Sequence, residues 1–163
     1  MKKVCFITIL LIGVSMSYAQ EQKTNSFTSG IGISIGMTTE NSSLLNGCLF
    51  LEGDYMSEKH FSMYGSIGYN RLFSFNEKGS AGFASAYIGP RLHFSEKVFL
   101  GAGIGYAFAT SGNSSGGAFT YYPHLGLAMK KTQLTLGYIG LTDNGDNAGI
   151  ISLGIMVKFH KKS

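Results

Sequence analysis

The chain has 163 residues, enough for one domain with a sizeable core. Charged residues make up 13%, about half the usual share, while the 23 glycines are about twice theirs. Mean hydropathy is +0.13, yet no internal run reaches the ~20 apolar residues of a membrane helix, so the composition excludes both a helical membrane protein and a charge-rich soluble domain.

Lys2 and Lys3 precede an apolar run over 4–14, and Ser17-Tyr18-Ala19 forms a small-residue cleavage site before Gln20. This pattern predicts a cleaved signal peptide over 1–19. Cleavage removes two of the 13 basic residues and none of the 9 acidic ones, lowering the net charge from +4 to +2. The basic balance is therefore no argument for nucleic acid. Cys5 leaves with the signal, and Cys48 remains without a disulfide partner.

Residues 20–26 form a polar lead-in, and eight runs of strand length follow. In the first, 27–37, Ile31, Ile33, Ile35 and Met37 lie opposite Gly30, Gly32, Ser34 and Gly36. The second, 47–56, sets Leu49, Leu51 and Tyr55 against Cys48, Phe50, Glu52 and Asp54. The third, 61–71, sets Phe61, Met63, Ile67 and Tyr69 against Ser62, Tyr64, Ser66 and Asn70. The fourth, 83–94, has Ala86, Ile88, Leu92 and Phe94 on one side and Ser85, Tyr87, Arg91 and His93 on the other.

The fifth, 98–108, places Val98, Leu100, Ile104, Tyr106 and Phe108 opposite Gly101, Gly103, Gly105 and Ala107. The sixth, 118–129, sets Phe119, Tyr121, Leu125, Leu127 and Met129 against Thr120, Tyr122, His124 and Gly126. The seventh, 133–141, is shorter, with Leu134, Leu136 and Tyr138 on its apolar side. In the eighth, 150–159, Ile151, Leu153, Ile155, Val157 and Phe159 face away from Ser152, Gly154, Met156 and Lys158. Pro90 and Pro123 fall inside the fourth and sixth runs, where a residue without a ladder donor belongs at an edge or a bulge.

Alternation with period two means two unlike faces. Here the bulky apolar residues form one face and the other is mostly small or polar. That is the reverse of a soluble barrel and suits one bathed in lipid. Connections alternate as well: 38–46, 72–82, 109–117 and 142–147 are long, while 57–60, 95–97 and 130–132 are short. Outer-membrane barrels have short periplasmic turns, longer outside loops and an even strand number. The expectation is an all-β, eight-stranded antiparallel up-and-down transmembrane β-barrel over 27–159, with both termini on the periplasmic side and a basic tail over 160–163.

The end of the last run, with Ser152, Gly154, Val157 and the final aromatic Phe159, resembles the terminal assembly signal of outer-membrane barrels. Unlike many such proteins, the chain continues past the aromatic as His160-Lys161-Lys162-Ser163. Through this end and its eight alternating runs, the whole mature chain resembles the small eight-stranded outer-membrane barrels, the type of OmpX and the membrane domain of OmpA. The resemblance implies a bacterial outer-membrane location, contact with outer-membrane lipid and lipopolysaccharide, insertion by the barrel assembly machinery, and a monomer. Its motifs are generic and carry over no specific activity.

Strand register turns Glu52, Asp54, Arg91 and Lys158 inward, all toward the periplasmic half. Desolvated charges must be paired, so these four are expected to form a network that plugs the lumen; the alternative is a gated ion or small-solute path. His93, His124, Tyr87 and Tyr122 also face inward. Some eight-stranded barrels remodel lipid A, and a Ser–His site needs a base beside its nucleophile and a third group orienting the base. No His stands beside a Ser on the lipid-facing side, so the expectation is a non-enzymatic protein. His60 and His160 fall in a turn and the tail, and no zinc-ligand spacing or cofactor motif occurs. The glycines of Gly101-Ala102-Gly103-Ile104-Gly105 share one parity with no helix after them, which fits a narrow lumen and not a dinucleotide loop.

Aromatics gather near strand ends: Tyr69, Phe83, Tyr106, Phe108, Phe119, Tyr121 and Tyr138 above, Tyr55, Phe61, Phe94 and Phe159 below. They are expected to form interfacial girdles. Arg71, of lipid-facing parity near the outer end, is placed to meet lipopolysaccharide phosphate.

Overall fold

The computed structural model describes residues 26–40, 44–74, 80–111, 116–143 and 146–159. The expected signal peptide, the lead-in up to residue 25, the basic tail and the middles of the outer connections lie outside the described residues. Eight strands run in chain order: β1 (Ser26–Thr38), β2 (Leu44–Glu58), β3 (Phe61–Ser74), β4 (Ser80–His93), β5 (Val98–Ser111), β6 (Gly117–Ala128), β7 (Thr132–Asp143) and β8 (Asp146–Phe159). Each pairs antiparallel with the next, and β8 returns to β1 to close the barrel. Closure leaves no open edge, so the ladder can satisfy its backbone in hydrocarbon.

Most strands are longer than the apolar alternation alone suggests, up to 15 residues in β2, against the 9–11 that cross a bilayer. Most of the surplus lies at the outer end, in residues assigned above to connections. Leu44 pairs with Ser74, Phe73 with Ser80, and Thr142 with Asn147. Beyond the hydrocarbon a strand needs no apolar side, so its Ser, Asn and Gly continue the ladder without the alternation that marks the buried part.

Side-chain direction follows parity. Ile35 on the outer wall is 68% exposed, whereas Met156 on the lumen wall is 3% exposed. The lumen is not lined only by small and polar groups, however. Tyr64, Phe83, Phe99, Ile139 and Ile150 are buried in it, and glycines on other strands make the room. A methyl group added at Gly126 would overlap the Phe99 ring, one at Gly137 the Tyr122 ring, and one at Gly32 the Phe50 ring. Large against small across the seams lets eight strands close on filled space.

Phe83 departs from its expected girdle position. It shares parity with Ser85 and packs inside with Ala107, Ile139 and Ile150. The prolines also depart from expectation, since neither sits at an edge or a bulge. Register shifts fall instead between Met56 and Glu58 and between Gly82 and Phe83. The β4–β5 ladder skips Gly89 and Pro90 and resumes in unchanged register from Ile88↔Ile104 to Arg91↔Gly101. The β6–β7 ladder skips Tyr122 and Pro123 in the same way, between Tyr121↔Gly140 and His124↔Gly137. Each proline keeps its alignment on the other side, Pro90 with Met63 and Pro123 with Ala102. A local gap thus absorbs the missing N–H.

Candidate functional site in the barrel lumen

Parity on four strands aims polar side chains at one level of the lower lumen, the end that carries the short turns. Arg91 from β4 lies at its centre and is 1% exposed. Its Nη1 donates to Glu52 Oε1 at 2.8 Å and Asp54 Oδ2 at 2.7 Å, and its Nη2 donates to Glu52 Oε2 at 2.8 Å. Nε donates to His124 Nε2 at 3.1 Å. A guanidinium has no acceptor, so His124 must accept through Nε2 and carry its proton on Nδ1, which donates to the Tyr122 carbonyl at 3.1 Å. Gln133 Nε2 donates to Glu52 Oε1 at 3.0 Å.

Aromatic rings enclose this core. The Arg91 guanidinium carbon lies 4.0 Å from the Tyr64 ring centroid and 4.7 Å from that of Phe99. Such contacts favour a desolvated cation by about 2 kcal/mol. The His124 ring stacks on Tyr122 at 4.6 Å and meets Tyr64 edge-on at 5.0 Å. Gly101 is required here, because a side chain would enter the His124 ring and crowd the Arg91 stem. Glu52 is buried, while the Asp54 side chain keeps 16% of its surface toward the lower mouth.

Lys158 does not join the carboxylates. Its ammonium donates to the Met129 carbonyl at 3.3 Å, because the end of β8 lies beside the β6–β7 turn. Sequence parity grouped it with the other three charges, and the structure keeps it on the lumen wall but bonds it below them. His93 belongs to a separate pair near the lower mouth, with its Nε2 2.9 Å from Ser62 Oγ. His60 Nδ1 donates to the His93 carbonyl at 2.9 Å. Ser62 is wholly buried and faces the lumen. Tyr87 and Tyr122 lie higher, with ring centroids 5.5 Å apart.

The sequence reading did not single out Tyr64, Phe99, Gln133 or Ser62. Parity signals all four, Phe99 through its place opposite Val98 and Leu100, but bulk on the small-residue wall gives no hint of which ring will cover the arginine. Of the residues expected to form an assembly signal, Ser152 and Gly154 line the lumen, and Val157 and Phe159 face outward. Phe159 pairs with Ser29 at the closing seam.

Above the charged layer lies a cavity of about 40 Å³ bordered by Ser34, Cys48, Ser66, Asn70, Ser85 and Thr135, room for about three waters. The apolar cluster of Phe83, Ala107, Ile139 and Ile150, with Leu72 and Leu141 against it, lies in the upper half. Below the charged layer the lumen opens into a cup of about 460 Å³ lined by Asp54, His60, His93, Glu96, Gln133 and Lys158. Among the described residues no three His, Cys, Asp or Glu side chains converge on a metal-sized site.

No family model and no curated protein matches the chain. Solved structures do. The chain is similar to the outer-membrane enzyme PagL (TM-score 0.63, 17% identity, covering 81% of this chain and 99% of that one). It is also similar to Ail, the attachment invasion locus protein of Yersinia pestis, solved with the heparin analogue sucrose octasulfate (TM-score 0.55, 20% identity, 82% and 99%). A third similarity is to a de novo designed transmembrane β-barrel (TM-score 0.57, 16% identity, 86% and 100%). These likenesses define the class: a small eight-stranded transmembrane β-barrel of the outer-membrane kind. The neighbours include an enzyme and an attachment protein, so the shared fold carries no activity with it.

Proposed function

We propose that the chain is a non-enzymatic integral outer-membrane protein with a structural or surface-contact role, and that its lumen is plugged. The observation that carries this reading is the Arg91 layer. One guanidinium spans the lumen, with its hydrogen bonds directed to β2 and β6 and its faces covered by rings from β3 and β5. The apolar cluster above supports it, since a solute would have to pass both. The burial of Ser62 and the inward direction of both His93 and His124 support a non-catalytic role, because acyl chains arrive on the opposite wall. In this reading the barrel is inserted by the assembly machinery as a monomer among outer-membrane lipid and lipopolysaccharide.

Planar-bilayer recording tests the plug. The folded barrel is expected to give no resolved single-channel steps at neutral pH. Steady unitary currents from the unaltered protein would sink the plugged reading in favour of a small-solute or ion pore. The catalytic alternative is met by mass spectrometry of lipid A with and without the protein, which is expected to show no new species.

A further inference from the structure

We infer that one quadrant of the turn-bearing rim is a binding site for an anionic phospholipid, its phosphate on Lys97, Lys130 and Lys131 and its acyl chains on the wall directly above. The inference rests on the proposed reading in which the short turns face the periplasm, where the inner leaflet is phospholipid.

The three lysines come from two turns that are distant in sequence and adjacent in the rim. The amide of Ala128 donates to the Lys97 carbonyl at 2.6 Å, joining the start of β5 to the end of β6. The amide of Lys158 donates to the Lys131 carbonyl at 2.8 Å, joining the end of β8 to the same turn. The Lys158 side chain itself lines the lower cup, where its ammonium rests on the Met129 carbonyl. Lys97, Lys130 and Lys131 are exposed, and among the described residues no carboxylate lies within ion-pair distance of any of the three. Glu96 is the one acidic residue of the 94–97 and 129–131 turns. The β2–β3 turn differs, since it holds a single lysine, Lys59, beside one acid, Glu58.

The charge continues into an apolar surface. Leu127 pairs with Leu134 and Leu134 with Ile155, while Thr132 pairs with Val157. Leu127, Ile155 and Val157 are about half exposed on the outer wall, so chains laid along them end at the lysines. A cell-wall glycan fits less well. The turns are only a few residues long, so their lysines stay next to the apolar wall, and basic groups near an anionic leaflet are attracted within a Debye length. A soluble phosphate would leave the adjoining wall unexplained.

The test uses the folded barrel in vesicles of equimolar phosphatidylethanolamine and phosphatidylglycerol, released for native mass spectrometry. Phosphatidylglycerol is expected to be retained well above its share. A K97Q/K130Q/K131Q variant is expected to lose that enrichment by about fivefold per lysine, while K59Q keeps it. Retention in the bulk ratio by the unaltered protein, or undiminished enrichment in the triple variant, overturns the inference. Displacement by excess free glycerol phosphate also overturns it, by assigning the lysines to a soluble ligand. Heat-modifiable mobility of the same samples reports on the closed barrel separately: its loss in the unaltered protein sinks the membrane reading itself, whereas a folded barrel without lipid preference sinks only the site.

Discussion

In the lower lumen Glu52, Asp54 and His124 converge on a single guanidinium, whereas in the upper lumen Phe83, Ala107, Ile139 and Ile150 meet through apolar contact. The same eight strands wall both levels, and what fills them differs. The difference teaches how each layer tolerates loss. Apolar packing is graded, because each atom removed takes its own contacts away. A desolvated ion network is close to all-or-nothing, since one missing partner leaves the others charged and unpaired.

The largest effect should therefore come from Arg91. Replacing it by Met preserves much of its length but leaves Glu52 buried without its bidentate partner, with Asp54 beside it. The expected loss is about 3–5 kcal/mol in urea unfolding of the lipid-inserted barrel. A double change, Arg91→Met with Glu52→Gln, removes the stranded charge together with its partner and should cost less than Arg91→Met alone. If the double variant is the weaker of the two, the lower layer is not held by pairing.

In the upper layer Phe83→Ala should cost about 3 kcal/mol, the low end for a buried aromatic, because the site keeps 9% exposure and its neighbours can partly collapse. Phe83→Leu should recover more than half of that. A series in which Ala and Leu behave alike would mean that packing does not close this end. The same unfolding assay places both layers on one scale.

Much of this architecture was legible in the sequence, and the reason is hydrocarbon. Where lipid bathes the outer wall, residues such as Ile31, Ile33 and Ile35 must be apolar and their neighbours must fit a narrow lumen, so period two is written strongly. Outside the bilayer that pressure ends, and the outer ends of β3 and β4 looked like connections although they pair through Phe73↔Ser80. Parity also gave the inward direction of Glu52, Asp54 and Arg91. It could not give height or reach. Phe83 was read by its position near a strand end when its parity already pointed inside, and Lys158 was grouped with the carboxylates because direction alone does not show that a flexible stem will turn to a nearer carbonyl.

Lys158 supplies the sharpest contrast with Arg91, since both are cations on the lumen wall of the same half. Arg91 is buried and has four directed hydrogen bonds, three of them to carboxylate oxygens. Lys158 is half-buried beside the open cup and makes one hydrogen bond of 3.3 Å to a neutral carbonyl. Water at the mouth can replace that bond, and no counter-charge is stranded when the ammonium is removed. Lys158→Met should therefore change unfolding stability by less than about 0.5 kcal/mol, as expected of a substitution away from buried networks. Combined with Arg91→Met, its effect should add independently, as it does for sites without a shared partner. A clear coupling between the two in that cycle would show that Lys158 neutralises Asp54 at a distance, and the charged layer would then extend down to the mouth.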